Sequence, residues 1–175
     1  MLVPDRALSL TFWFQHGNQW LRNSSTNSTP SNLSNTQLMN IKPRTVPRGI
    51  RNNNPLNIRI GNVWLGEVQN PTDPDFEQFV HIKYGLRAGF VLLRRYINHY
   101  HRNTVPMILA AWAPSSENNT IKYIDYVCQH AHITNTSTLK FEDKETMIML
   151  VKAMCKYECG SDIDIRTISE SYDMA

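Results

Sequence analysis

The chain has 175 residues, 41% of them apolar, and a formal net charge of +3, which admits one domain with a real core and excludes a disordered polymer over most of its length. The charge is divided: from Met1 to Gly66 seven Lys/Arg face only Asp5, a local +6, whereas the remainder carries −3. A basic front half suits an anionic polymer, but its cations are scattered without a Lys/Arg run, so no nucleic-acid partner is expected.

In chain order, residues 1–46 read as a tail or linker. Between Asn23 and Asn40 thirteen of eighteen residues are Asn, Ser or Thr, too few apolar groups to offset the entropy of ordering. The apolar run Leu8 to Phe14 is short, follows Asp5 and Arg6, and lacks a small-residue cleavage site, so it makes a poor secretion signal. The alternative for Phe12, Trp13, Phe14 and Trp20 is a short helix docked on the domain. No apolar stretch approaches the roughly 20 residues that span a bilayer.

The domain is expected over 47–175, mainly α with a minor β element. Short extended pieces around Ile58–Ile60 and Val63–Leu65 suggest one small hairpin. Leu86, Phe90, Leu93, Ile97 and Tyr100 recur at steps of four and three, which predicts an amphipathic helix over 84–101. Thr104 is an N-cap candidate with Pro106 in the first turn, and the short helix it opens stops at Ala113 before Pro114. A further helix, capped by Asn118 or Thr120, turns Ile121, Ile124, Val127 and Cys128 inward. Another runs from Asp143 to Tyr157 with Met147, Leu150, Val151 and Met154 as its stripe and Gly160 as its C-terminal cap. A last short helix covers Ile165, Ile168 and Tyr172.

Glu158 is the candidate acid. It stands four residues beyond Met154 and so continues an apolar stripe, where desolvation disfavours the charged form and suits a carboxyl to donate a proton near neutral pH. A Glu that merely ends a helix with its head in water is the bland alternative. The run Asn52 to Arg59 carries amides and an Arg suited to sugars, against the plainer reading of an Asn-rich turn whose side chains cap the backbone. Trp64, Trp112, Tyr123 and Tyr126 offer rings that stack on sugars or simply fill the core. Cys128, Cys155 and Cys159 leave an odd thiol, show no metal spacing with the dispersed histidines, and read as reduced. Neither metal nor cofactor is expected.

The combination Arg48-Gly-Ile-Arg-Asn-Asn-Asn-Pro-Leu-Asn-Ile-Arg59, Trp64-x-Gly66, Asp75-Phe-x-x-Phe79, Gly85-x-Arg-Ala88 and Trp112-Ala-Pro through Tyr123 to Val127 resembles bacteriophage and prophage proteins described as virion structural proteins, over about residues 47–172. A more distant similarity is to lysozyme-like glucosaminidases and lytic transglycosylases. These carry a helix ending in a catalytic Glu-Ser-Gly, then Asn-Asn-Leu-Phe-Gly-Ile-Lys, Phe-x-x-Tyr, a helix, and Tyr-Ala-x-x-x-x-Tyr. Asn53 to Arg59 resembles the second element, Phe76 to Phe79 the third and Trp112-Ala113 to Tyr123 the last. The first element has no counterpart ahead of them, but Tyr157-Glu158-Cys159-Gly160 resembles it from the C-terminal side, with Cys159 where the motif has a small polar residue.

That order implies a circularly permuted, single-domain lysozyme-like fold, a rearrangement tolerated where termini lie together at the surface. The resemblance implies a muramidase or lytic transglycosylase acting on peptidoglycan glycan strands. Glu158 is its general acid, and Asn54, Asn57, Arg59, Trp112 and Tyr123 line an elongated sugar groove walled by Trp112 or Trp64. The protein would be made in the bacterial cytoplasm, then carried on the virion with other virion proteins or released to act on the wall. The alternative implied is a non-catalytic virion component that retains the fold.

Overall fold

A computed structural model describes residues 46–113 and 117–175. The expected tail, with its alternative of a docked helix at Phe12 to Trp20, lies outside these apart from Val46. The described chain is mainly helical: α1 Arg48–Arg51, α2 Ile82–Arg94 continuing as a π-helical segment Arg95–His99, α3 Val105–Trp112, α4 Glu117–Ala131, α5 Lys144–Cys159 and α6 Ile165–Asp173.

Each helix end has a local cause. His81 accepts a hydrogen bond from the Lys83 N–H at the start of α2, Asp143 accepts one from the Thr146 N–H at the start of α5, and Asp164 does the same for Thr167 at α6. Thr104 precedes α3 with Pro106 in its first turn, although its hydroxyl makes no capping bond. Gly160 ends α5 with φ 69°, a left-handed conformation that glycine adopts without steric cost. α4 already begins at Glu117, so the expected caps Asn118 and Thr120 lie inside it.

The core is built from the predicted stripes. Leu86, Phe90 and Leu93 of α2, Ile97 of the π-helical segment, and Met147, Leu150, Val151 and Met154 of α5 are buried, each large side chain worth about 1.5–3 kcal/mol relative to exposure. Tyr123 near the start of α4 stacks on Tyr157 near the end of α5, with centroids 4.0 Å apart, so these two helices run antiparallel. α6 closes the core through Tyr172, edge-on to Phe90 and stacked on Phe141. One expected inward position differs: Ile121 is 55% exposed, because α4 turns Tyr123 and Val127 inward.

Among the described residues no β-strand forms, only isolated antiparallel bridges Arg59↔Phe76 and Glu67↔Phe79. The expected hairpin between Ile58–Ile60 and Val63–Leu65 does not form. Residues 58–60 pair instead with 75–77, through Ile60 N–H to Asp75 O and Glu77 N–H to Ile58 O. Asn54 enforces that pairing by donating to both Ile58 O and Glu77 O while accepting from Ile58 N–H. The turn packs tightly on α2: a Cβ at Gly85 would lie 2.1 Å from Asn53 O, and one at Gly89 2.1 Å from Leu56 Cδ1. Those two glycines, one turn apart, are the seat that lets the amide loop approach the helix.

Candidate functional site

Most of the Asn52 to Asn57 run is structural. Asn53 and Asn57 have φ of 52° and 51°, a left-handed region that asparagine tolerates better than most residues. Asn52 is buried, donates to Asp73 and accepts from Gln78. Asp73 also accepts from Arg48 Nε at 2.6 Å and from the N–H groups of Asp75 and Phe76. Burial alone would raise the Asp73 carboxyl, but the Arg48 and Asn52 bonds and those backbone donors hold it well below the usual carboxylate range. The expected ligand contact of Asn54 is corrected: it is fully buried and its amide is spent on the backbone.

Asn57 differs, because its side chain faces the end of α5. Its Nδ2 donates to Glu158 Oε2 at 3.2 Å and lies 3.4 Å from the Glu158 carbonyl oxygen. On the other carboxyl oxygen, the Tyr123 hydroxyl donates to Glu158 Oε1 at 3.0 Å. Glu158 is half-buried and its carboxyl is pushed up to about 7, chiefly by desolvation and against the opposing pull of the Asn57 and Tyr123 bonds. It is therefore an acid poised to hold a proton near neutrality.

Packing sets this geometry. Gly49 of α1 admits the close approach, since a Cβ there would lie 2.9 Å from Asn57 Oδ1 and 3.3 Å from Cys159 Cβ. Cys159 is buried beside Glu158, its Sγ 3.1 Å from Cys155 O, and the three cysteines are free thiols. The Tyr157 ring holds the Tyr123 ring in a parallel stack. Tyr123 is 4% exposed, so its expected place in the groove wall is corrected too: its hydroxyl is bonded to Glu158 and its ring offers no face to a sugar.

Asn57, Arg59 and Trp112 line one cleft of 60 Å³ together with Asn62 and Tyr96. Tyr96 packs edge-on to Trp112 with centroids 6.1 Å apart. Asn57 joins the two parts of the site, as it lines this cleft and bonds Glu158. The expected elongated groove walled by Trp112 or Trp64 is here a small pocket, and Trp64 turns toward the core with its Nε1 buried. Sequence reasoning missed Tyr96, although its spacing of four to Tyr100 on one helix is a legible signal. It also missed Glu77, which is buried and pushed up to about 7 by desolvation and the nearby Glu67 charge.

In structural terms the class is a helical domain with a protonatable Glu held by an amide and a phenol, and a small aromatic-walled cleft that shares Asn57 with it but is not lined by Glu158. No family model matches the chain. It is 40% identical over 119 residues to Protein P5 of Pseudoalteromonas phage PM2, a match covering 66% of this chain and 72% of that protein. The chain therefore belongs to the same family as this phage protein. Among the described residues no helix is long and apolar enough to cross a membrane, and no group of three or more His, Cys, Asp or Glu could hold a metal ion.

Proposed function

We propose that the chain is a virion-associated, lysozyme-like enzyme that cleaves peptidoglycan glycan strands, with Glu158 as general acid. The observation that carries this reading is Glu158 itself, half-buried at the end of α5, bonded by Asn57 and Tyr123 and protonatable near pH 7. The acid protonates the glycosidic oxygen as the bond breaks, a contribution of typically 10²- to 10⁴-fold in rate. Its conjugate base then takes a proton from an attacking hydroxyl: water gives a reducing end, and a hydroxyl of the sugar itself gives an anhydro end. The second route needs one carboxyl and fits a site in which burial, Asn57 and Tyr123 account for the Glu158 shift. Asn57, Arg59 and Trp112 hold the sugar beside it. The order of elements, with the acid-bearing helix after the amide loop, supports reading the domain as a circularly permuted lysozyme-like one.

A second reading is a non-catalytic virion component. The smallness of the cleft, and the absence of Glu158 from its lining, favour it, since a polymer needs room to thread past the acid. Digestion of purified peptidoglycan, with mass analysis of the products and Glu158→Gln as control, separates the two. Anhydro or reducing ends lost in the variant support the enzyme; intact glycan with the parent protein supports the structural component.

A further inference from the structure

The π-helical segment that continues α2 builds a second feature beside the cleft. Tyr96, which lines the cleft with Arg59, has the Arg102 guanidinium 5.7 Å from its ring centroid. Arg102 also lies 5.6 Å from the Tyr100 ring, and Arg95 lies 5.3 Å from it. The segment is locked by Tyr100 N–H to Arg95 O and Arg102 N–H to Tyr96 O, with His101 left-handed at φ 55°. Runs with an i→i+5 helical pattern are rare and recur at functional sites.

The cations here lack anions. Among the described residues Arg59, Arg95 and Arg102 form no ion pair, and Arg59 Nε is buried without a hydrogen-bond partner. The nearby acid Glu142 is instead bonded by Asn98. Arg95 and Arg102 are exposed, whereas Arg59 is half-buried against Phe76, its guanidinium 4.9 Å from that ring. Three guanidiniums therefore run from the cleft along an aromatic wall, and none is neutralised within the described chain.

We infer that Arg59, Arg95 and Arg102, with Tyr96 between them, form a subsite for carboxylate groups carried by the glycan, so that the cleft selects an acidic glycan over a neutral one. This rests on the glycan reading above and adds what that reading leaves open, the charge of the substrate. Planar guanidiniums pair with carboxylates through two parallel N–H bonds, and an aromatic ring beneath keeps each fork oriented. A carboxylate on a wall glycan comes either from the lactyl ether of the muramic sugar or from the stem peptide joined to it.

The test measures binding of three soluble glycans of equal length to Glu158→Gln, which leaves the sugars uncut. They are peptide-bearing wall glycan, the same glycan stripped of peptide so that only lactyl carboxylates remain, and a neutral N-acetylglucosamine oligomer. The expected result is at least about tenfold tighter binding of an acidic glycan than of the neutral one. Arg95→Gln/Arg102→Gln removes that preference without weakening the neutral oligomer, and Arg95→Lys/Arg102→Lys restores part of it. A preference confined to the peptide-bearing form assigns the stem peptide; one confined to the stripped form assigns the lactyl group, whose carboxyl is a neutral amide wherever a peptide is attached; and one shared by both assigns recognition of the carboxylate whichever group carries it. Equal binding of all three, or an equal loss across all three in the Gln variant, overturns the inference while leaving cleavage by the parent protein intact. Binding of a single-stranded oligonucleotide with the same Arg dependence, and of no glycan, overturns it in favour of nucleic acid.

Discussion

The phenolic hydroxyl of Tyr123 donates to Glu158 Oε1 at 3.0 Å across 35 positions of sequence, with Tyr157 stacked on the donor ring. The bond favours the ionised carboxyl, so it moderates an acidity that desolvation alone would weaken further. Tyr123→Phe keeps the ring and removes the donor. Its expected effect is a Glu158 pKa above the parent's value of about 7, read as an alkaline shift of the descending limb of the pH profile of cleavage or by carboxyl NMR. An unchanged Glu158 titration would show that the hydroxyl does not act on the acid.

The raised Glu158 pKa makes stability depend on pH. Its folded value of about 7 lies above the ordinary 4.5, so between those values the folded state holds a proton that the unfolded chain has released. The contribution is present in full below pH 4.5 and is lost as pH rises to 7, by at most about 3 kcal/mol before screening at the half-exposed edge. Glu77 acts in the same direction and window. Chemical denaturation between pH 4.5 and 7 should show stability falling with pH, the slope shrinking in Glu158→Gln and again when Glu77→Gln is added.

Asp73 works in the opposite sense. Its depressed pKa contributes stability that is present above the ordinary value of 3.8 and lost as pH falls below it. Asp73→Ala would leave the Arg48 and Asn52 donors and two backbone N–H groups without this acceptor. A loss of about 2–3 kcal/mol is expected in equilibrium unfolding. A change under 0.5 kcal/mol would show that water replaces the carboxylate freely.

Two glycines separate steric from conformational need. Gly85→Ala drives a methyl toward Asn53 O at 2.1 Å and should cost about 1–3 kcal/mol or more by displacing the amide loop. Gly160→Ala meets nothing within 4 Å but must hold φ 69°, at a cost of about 1–2 kcal/mol. Only the first should alter activity as well as melting temperature, because that loop carries Asn57. Equal loss of activity in both would break the link between the loop seat and the site.

The sequence by itself determined the longer helices and their buried stripes: the spacing of Leu86, Phe90, Leu93 and Ile97, and of Met147, Leu150, Val151 and Met154, is local, as is the stop at Gly160, whereas the short helix Arg48–Arg51 and the π-helical turn at Arg95–His99 leave no such periodic signal. It also singled out Glu158, since an acid in line with Met147, Val151 and Met154 is conspicuous without any partner in view. Tertiary structure alone decided what surrounds that acid. Asn54 and Asn57 look alike in sequence, yet one is consumed by the Ile58 and Glu77 backbone and the other reaches α5 from 101 positions away. Likewise Tyr123 became a donor and Ile121 an exposed residue through the rotation of α4 against α5. Such outcomes depend on which face each element turns to partners distant in sequence, and short-range spacing does not encode that orientation.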